Sequence, residues 1–219
     1  MKDQKSNMKN LHMKSANWFA LVGGALTLVL AVASLFVPWW QVTVGHTLAR
    51  VGLSPVNLST NIMGYDVALP IIVTITWIFM VMLVSAGIVL VVYSIVPTKP
   101  YSKRLLGFAY KKPLGTLVAF VVLMLLVTNA GTISETVLGS SRLSGADLNI
   151  PWVGAKTLQL PSSMSQGMLG GIAISAEIEW TFWLAVTVAV LCVGARLYHK
   201  KLVTPEGAEN VKQPSKNAT

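Results

Sequence analysis

LPIIVTITWIFMVMLVSAGIVLVVYSIV, residues 69–96, is a run of 28 residues without a charged side chain. A bilayer core of about 30 Å is crossed by a helix that rises about 1.5 Å per residue, so this run is long enough to span a membrane. Three further apolar runs occupy 18–37, 114–130 and 180–198, and their only charged side chain is Arg196. The sequence therefore predicts an all-α membrane protein, a bundle of four transmembrane helices.

The segments between these runs alternate in charge. The N-terminal segment 1–17, the connection 97–113 and the chain from Arg196 onwards together carry 14 basic and 3 acidic residues. The connections 38–68 and 131–179 carry 3 basic and 5 acidic residues. Because cytoplasmic segments retain Lys and Arg during insertion, we expect both termini and 97–113 on the cytoplasmic side of the plasma membrane, and the other two connections outside.

The first run has a second interpretation. A basic segment, the apolar stretch 19–30 and Ala31-Val32-Ala33 together resemble a signal peptide, whose cleavage would leave three spans. The apolar character continues to Val37 and ends at Trp39-Trp40, a pair typical of a membrane interface, which favours an uncleaved helix.

The two outer connections contain strand-like patterns. Apolar and polar residues alternate over 41–44, 157–160 and 172–178, and Pro and Gly separate these stretches. We therefore predict a small β-containing exoplasmic cap formed by both outer loops. The predicted organisation is a basic N-terminus at 1–17, a membrane domain at 18–198 that includes the cap, and a tail at 199–219. The tail is polar enough to be disordered.

Chemistry-bearing residues are scarce in the spans. An ionisable residue inside a membrane is by default a functional-site hypothesis, and none lies at mid-depth here. No nucleophile elbow, phosphate-binding loop or paired-cysteine motif occurs, and Cys192 is the only cysteine, so the chain forms no internal disulfide. We therefore predict no catalytic, cofactor-binding or metal site in this chain.

The basic residues do not indicate nucleic-acid binding. They lie next to the membrane entry points rather than in a patch interleaved with stacking aromatic residues. Attraction to anionic lipid headgroups, about 1 kcal/mol for each nearby Lys or Arg, explains their placement.

Small and aromatic residues within the spans predict how the helices pack. Gly23-Gly24 and Gly87 would allow close approach between helices. Trp77 lies about eight residues inside the second run, and we expect it to pack against another helix.

The sequence has no recognisable catalytic, cofactor-binding or metal-binding motif, but its two outer loops look ordered. This combination favours a non-catalytic accessory or scaffold subunit of a cell-envelope or membrane-enzyme complex. Its exoplasmic loops would contact protein partners in the membrane, and the candidate contacts are Trp39, Trp40, Trp152, Glu177 and Glu179. The alternative is a homo-oligomeric channel or facilitator for a small solute, lined by Thr74, Thr76, Thr128 and Asn129. A third interpretation is a membrane-enzyme subunit whose active site lies on other chains.

The layout of four spans, inside termini and strand-bearing outer loops resembles that of claudin-like tetraspan proteins. That family carries a Trp…Gly-Leu-Trp…Cys…Cys signature in its first outer loop, where this chain has Trp39-Trp40 and no cysteine. The longer outer loop is also the second here and the first in that family. The resemblance is therefore one of architecture and implies the layout alone.

Overall fold

A computed structural model describes residues 17–45, 48–67, 70–96, 101–129, 150–158 and 171–203. The helices in these ranges are α1 (Trp18–Phe36), α2 (Pro70–Ile95), α3 (Ser102–Ala109), α4 (Lys111–Thr128) and α5 (Trp180–Val203). They supply four candidate membrane spans, namely Trp18–Phe36, Val73–Ile95, Ser102–Thr128 and Trp180–His199. The chain is thus a multi-pass membrane protein of four packed apolar helices, as the sequence predicts.

Two helix boundaries differ by more than two residues from the sequence-based ones. The connection predicted at 97–113 contains α3, and α4 begins at Lys111 rather than at 114. The last helix continues to Val203, past the predicted start of the tail at 199. Residues 1–16 and 204–219, which carry most of the predicted N-terminal segment and tail, lie outside the described residues.

Helix α1 packs against both α2 and α5. A Cβ atom added at Gly24 would lie 2.9 Å from the carbonyl oxygen of Gly87 and 2.9 Å from the backbone nitrogen of Val91. A Cβ at Gly23 would lie 3.3 Å from Cβ of Leu191 on α5. The glycines therefore permit the close approach that the sequence predicts.

The two long connections form one antiparallel sheet at one end of the bundle, which confirms the strands predicted at 41–44 and 172–178. The strand predicted at 157–160 begins earlier, at Gly154, and residues 159–160 lie outside the described residues. The strands of the sheet are β1 (Trp40–Val44), β2 (Ala49–Ser54), β3 (Asn57–Ile62), β4 (Tyr65–Asp66), β5 (Gly154–Leu158) and β6 (Ile172–Ile178). Their order across the sheet is β4-β3-β2-β1-β6-β5. The first connection supplies β1 to β4, and the second supplies β5 and β6.

The centre of the sheet continues directly into two helices. Strand β1 follows α1, strand β6 precedes α5, and the two strands pair from Trp40↔Ile178 to Val44↔Ile174. Beyond the last pair, the Glu179 N–H donates to the Trp39 carbonyl at 3.1 Å. The Thr181 hydroxyl then donates to the Pro38 carbonyl at 2.6 Å. Hydrogen bonds therefore join the sheet to the α1–α5 helix pair without a flexible linker.

Candidate functional site

The turn between β2 and β3 caps the sheet end of α1. The last carbonyl groups of a helix have no partner within it and need other donors. Here the Asn57 side-chain amide donates to the Leu35 carbonyl at 2.8 Å, and the Ser54 hydroxyl donates to the Ser34 carbonyl at 3.2 Å. Val56 in the same turn is buried in an apolar cluster with Ala31 and Leu83. The connection between α1 and α2 is therefore anchored between these two helices.

Trp39 and Trp40 lie in the core, each only 1% exposed. The Trp39 indole N–H donates to Ser34 Oγ at 2.7 Å, and its ring meets Phe120 edge-on at a centroid distance of 5.0 Å. The Trp40 indole N–H donates to the Trp152 carbonyl at 2.8 Å. Neither ring is free to contact a partner, so both are withdrawn from the candidate contacts. An indole can be buried once its N–H has an acceptor, and the residue pair alone does not reveal that acceptor.

The other predicted contact residues occupy the sheet and its junction with α5. Trp152 is 44% exposed two residues before the edge strand β5, and its neighbour Val153 is exposed as well. Glu177 is exposed on β6. Glu179 is half-buried between β6 and α5, and its carbonyl accepts the Phe182 N–H at 3.1 Å. Trp152 and Glu177 therefore remain accessible, whereas the backbone of Glu179 forms the junction between β6 and α5.

One face of the sheet carries a polar row. Directly opposed residues on neighbouring antiparallel strands project to the same face. The register pairs Thr43 with Arg50, Arg50 with Asn61, and Asn61 with Asp66. Arg50 and Asp66 are exposed, and the Asn61 amide donates to Asp66 Oδ1 at 2.9 Å. This face suits a solvated contact surface.

A cavity of about 540 Å³ lies between the β3–β4 side of the sheet and the sheet end of α2. Among the described residues, its lining combines apolar side chains with three hydroxyl groups, the Asn57 amide and one carboxylate, that of Asp66. The lining residues are Leu35, Val56, Asn57, Leu58, Ser59, Thr60, Asp66, Val67, Val73, Thr76, Trp77 and Met80. Trp77 is 66% exposed beside this cavity, so the prediction that its ring packs against another helix is wrong.

Three of the four candidate pore-lining residues, Thr76, Thr128 and Asn129, hydrogen-bond to carbonyl groups of their own helix. The Thr76 and Thr128 hydroxyls donate to the Val73 and Leu125 carbonyls. The Asn129 amide donates to the Leu125 carbonyl at 2.8 Å. Thr128 is buried within the single chain, Thr74 and Asn129 are exposed, and Thr76 faces the cavity. A pore between copies of the chain stays a prediction that rests on the exposed Thr74 and Asn129.

A buried polar cluster at the opposite end of the bundle was not anticipated from the sequence. The Asn17 amide donates to the Ala195 carbonyl at 3.0 Å and to the Tyr93 hydroxyl at 3.2 Å. The Tyr93 hydroxyl lies 2.8 Å from His199 Nδ1, and Asn17 Oδ1 accepts the Ala20 N–H. These contacts join α1, α2 and α5. Because Tyr93 and Ala195 are 76 and 178 positions from Asn17, no local sequence pattern indicates them.

Basic side chains surround this end. Lys103 and Arg104 of α3 and Lys111 of α4 are exposed. Arg196 hydrogen-bonds to the Tyr110 hydroxyl, and its guanidinium carbon lies 4.5 Å from the centroid of that ring. The positions are compatible with the predicted contacts to anionic headgroups.

Comparison with protein-family models, with curated proteins and with solved structures finds no match to this chain. Its function is therefore inferred from its own surfaces.

Proposed function

We propose that this chain is a non-catalytic accessory or scaffold subunit of a plasma-membrane or cell-envelope complex. Its four helices hold it in the bilayer, and its sheet contacts protein partners on the outer side. The observation that carries the proposal is the direct hydrogen-bonded junction between the central strands and the α1–α5 pair.

This junction fixes the sheet relative to the membrane helices. Trp39 packs against the bundle, and the Glu179 N–H and the Thr181 hydroxyl extend the β1–β6 ladder to the helix ends. A surface held in this way loses little conformational freedom when it binds, so more of its contact energy appears as affinity. A preorganised sheet is thus suited to a docking role.

The accessible side chains also fit partner recognition. Protein interfaces combine aromatic anchors with a polar rim, and tryptophan is enriched among the residues that contribute most to binding. Trp152 and Val153 supply an exposed apolar group beside β5. Arg50 and Glu177 add exposed charges of both signs on the sheet. The outward orientation of the sheet is supported by the sign of the charges on the connecting segments.

The test is Trp152→Ala in the full chain, followed by gentle extraction and capture of associated proteins. The backbone carbonyl that accepts the Trp40 N–H survives this change, so the fold is expected to persist. If Trp152 is a main contact, its truncation costs about 2 kcal/mol, or roughly a 30-fold loss of affinity.

The matched control is Trp18→Ala, because Trp18 is 58% exposed at the end of the bundle away from the sheet. This variant should retain its partners. Complexes that assemble equally well with either variant would contradict a contact through Trp152.

A further inference from the structure

The cavity beside α2 has a mainly apolar wall, formed by the helix, and a polar wall, formed by the sheet. Val73, Thr76, Trp77 and Met80 line it from α2. Their spacing of three, four and seven residues places them on one helical face. Leu35 at the end of α1 adds another apolar wall. Because α2 is a candidate span, the exposed Trp77 ring faces the lipid on this side.

The sheet side of the same cavity is polar and carries a negative charge. Ser59, Thr60 and Asp66 line it, and Asp66 is the one charged residue among the lining residues that the structure describes. The Asn61 amide holds one carboxylate oxygen at 2.9 Å. Within the described ranges, no basic side chain forms an ion pair with Asp66. The carboxylate is thus oriented and available to an external cation.

We propose that this cavity binds the cationic amine headgroup of a membrane lipid. Asp66 is the counter-ion of the amine, the Trp77 ring lies beside the headgroup, and an acyl chain follows the exposed face of α2. Aromatic ring faces attract ammonium groups, and a charge-assisted hydrogen bond is about twice as strong as a neutral one. The volume of about 540 Å³ falls within the range of roughly 300–1,000 Å³ that is usual for small-molecule sites.

The apolar wall on α2 and the polar wall on the sheet together favour a lipid with a cationic headgroup over other ligands. An anionic headgroup without an amine would bring its phosphate close to the Asp66 carboxylate, and none of the described lining residues is basic. A water-soluble amine would leave the apolar wall formed by Leu35, Val73 and Met80 uncovered. The proposal goes beyond the accessory role and requires no protein partner.

The experiment uses the purified full chain in mild detergent, with bound lipid counted by native mass spectrometry. The chain is titrated with phosphatidylethanolamine, phosphatidylcholine and phosphatidylglycerol that have identical acyl chains. We expect the two amine lipids, phosphatidylethanolamine and phosphatidylcholine, to bind more tightly than phosphatidylglycerol. The gain should be about tenfold for phosphatidylethanolamine, whose ammonium donates hydrogen bonds to a carboxylate, and smaller for phosphatidylcholine, whose quaternary ammonium has no N–H. Asp66→Asn, which keeps an oxygen for the Asn61 amide, should remove this preference.

The control is Glu177→Gln, which neutralises an exposed carboxylate on the same sheet but outside the cavity. It should keep the full preference. As a second variant, Trp77→Ala changes an exposed side chain, so it should fold normally and weaken binding of both amine lipids.

Three results would overturn the proposal. The first is equal binding of the three lipids by the unchanged chain. The second is a preference for amine lipids that survives Asp66→Asn. The third is binding of soluble phosphoethanolamine as tight as that of the intact lipid, which would assign the cavity to a free amine.

Discussion

At the scale of single residues, close backbone approach defines the α1–α2 contact. Gly24 faces the Gly87 carbonyl and the Val91 backbone, which cannot move aside as the end of a flexible side chain can. Apart from the backbone of its own helix, no described residue lies within 4 Å of a Cβ atom added at Gly115 on α4. Gly24 and Gly115 therefore differ in whether there is space for a Cβ atom.

Gly24→Ala should separate α1 from α2 and lower the free energy of unfolding by about 1–3 kcal/mol, the usual cost of overpacking. Denaturant unfolding of the purified chain in detergent measures this change. Gly115→Ala is the matched control and should cost nothing, since alanine is the better helix former. Equal effects of the two substitutions would contradict the proposed packing.

The burial of Trp39 and Trp40 could not be predicted from the sequence. Two tryptophans after an apolar run are typical of interfacial anchors. Their actual positions depend on acceptors at Ser34 and on the Trp152 backbone, the latter 112 residues from Trp40. Only the tertiary fold brings that acceptor to the indole, so the sequence could not distinguish anchor from core.

At the scale of elements, the sequence predicts the spans and the central strands better than the strands toward the edge of the sheet. Strands β1 and β6 alternate apolar and polar residues, and this alternation predicts both. Strand β3 (Asn57–Ile62) carries two asparagines and a serine, which strands usually disfavour. It forms because β2 pairs with it along its whole length and because its first residue caps α1.

The polar cluster opposite the sheet joins three helices, and its hydroxyl group is supplied by Tyr93. Tyr93→Phe would remove the group that accepts from Asn17 and contacts His199 Nδ1. Since buried polar groups left unpaired cost about 1–3 kcal/mol, we expect a loss of stability of that size in thermal or denaturant unfolding.

Tyr198→Phe is the matched control. The Tyr198 ring lies 5.8 Å from the Phe19 ring, and phenylalanine keeps this contact. Its effect on unfolding should be small. A Tyr93→Phe variant as stable as the Tyr198→Phe variant would show that the cluster does not hold the helix ends together.

At the scale of the whole molecule, the charge pattern favours a sheet outside the cell and α3 inside. The only natural cysteine, Cys192, is buried, so it contributes little background in labelling experiments. Ala173 on β6 and Lys103 on α3 are both exposed. We expect an impermeant maleimide to label Ala173→Cys in intact cells and Lys103→Cys only after permeabilisation. The reverse pattern would invert the proposed orientation and move the docking surface to the cytoplasm.

The candidate site was predictable only in part at this scale. Trp152 and Glu177 are accessible loop residues by sequence, and they are exposed in the fold. The cavity at Asp66 and Trp77 was not identified, because it forms only when β3 and β4 lie against α2. Eleven positions separate these two residues, and no local pattern indicates that both line one space.

We propose that this chain serves as a subunit beside other proteins. The decisive experiment is gentle extraction from the native membrane in nanodiscs, followed by mass determination of the intact assembly. We expect a defined assembly that contains other chains, with crosslinks from the sheet to those partners. A clean homo-oligomer without other proteins would contradict it and would favour the channel lined by Thr74 and Asn129.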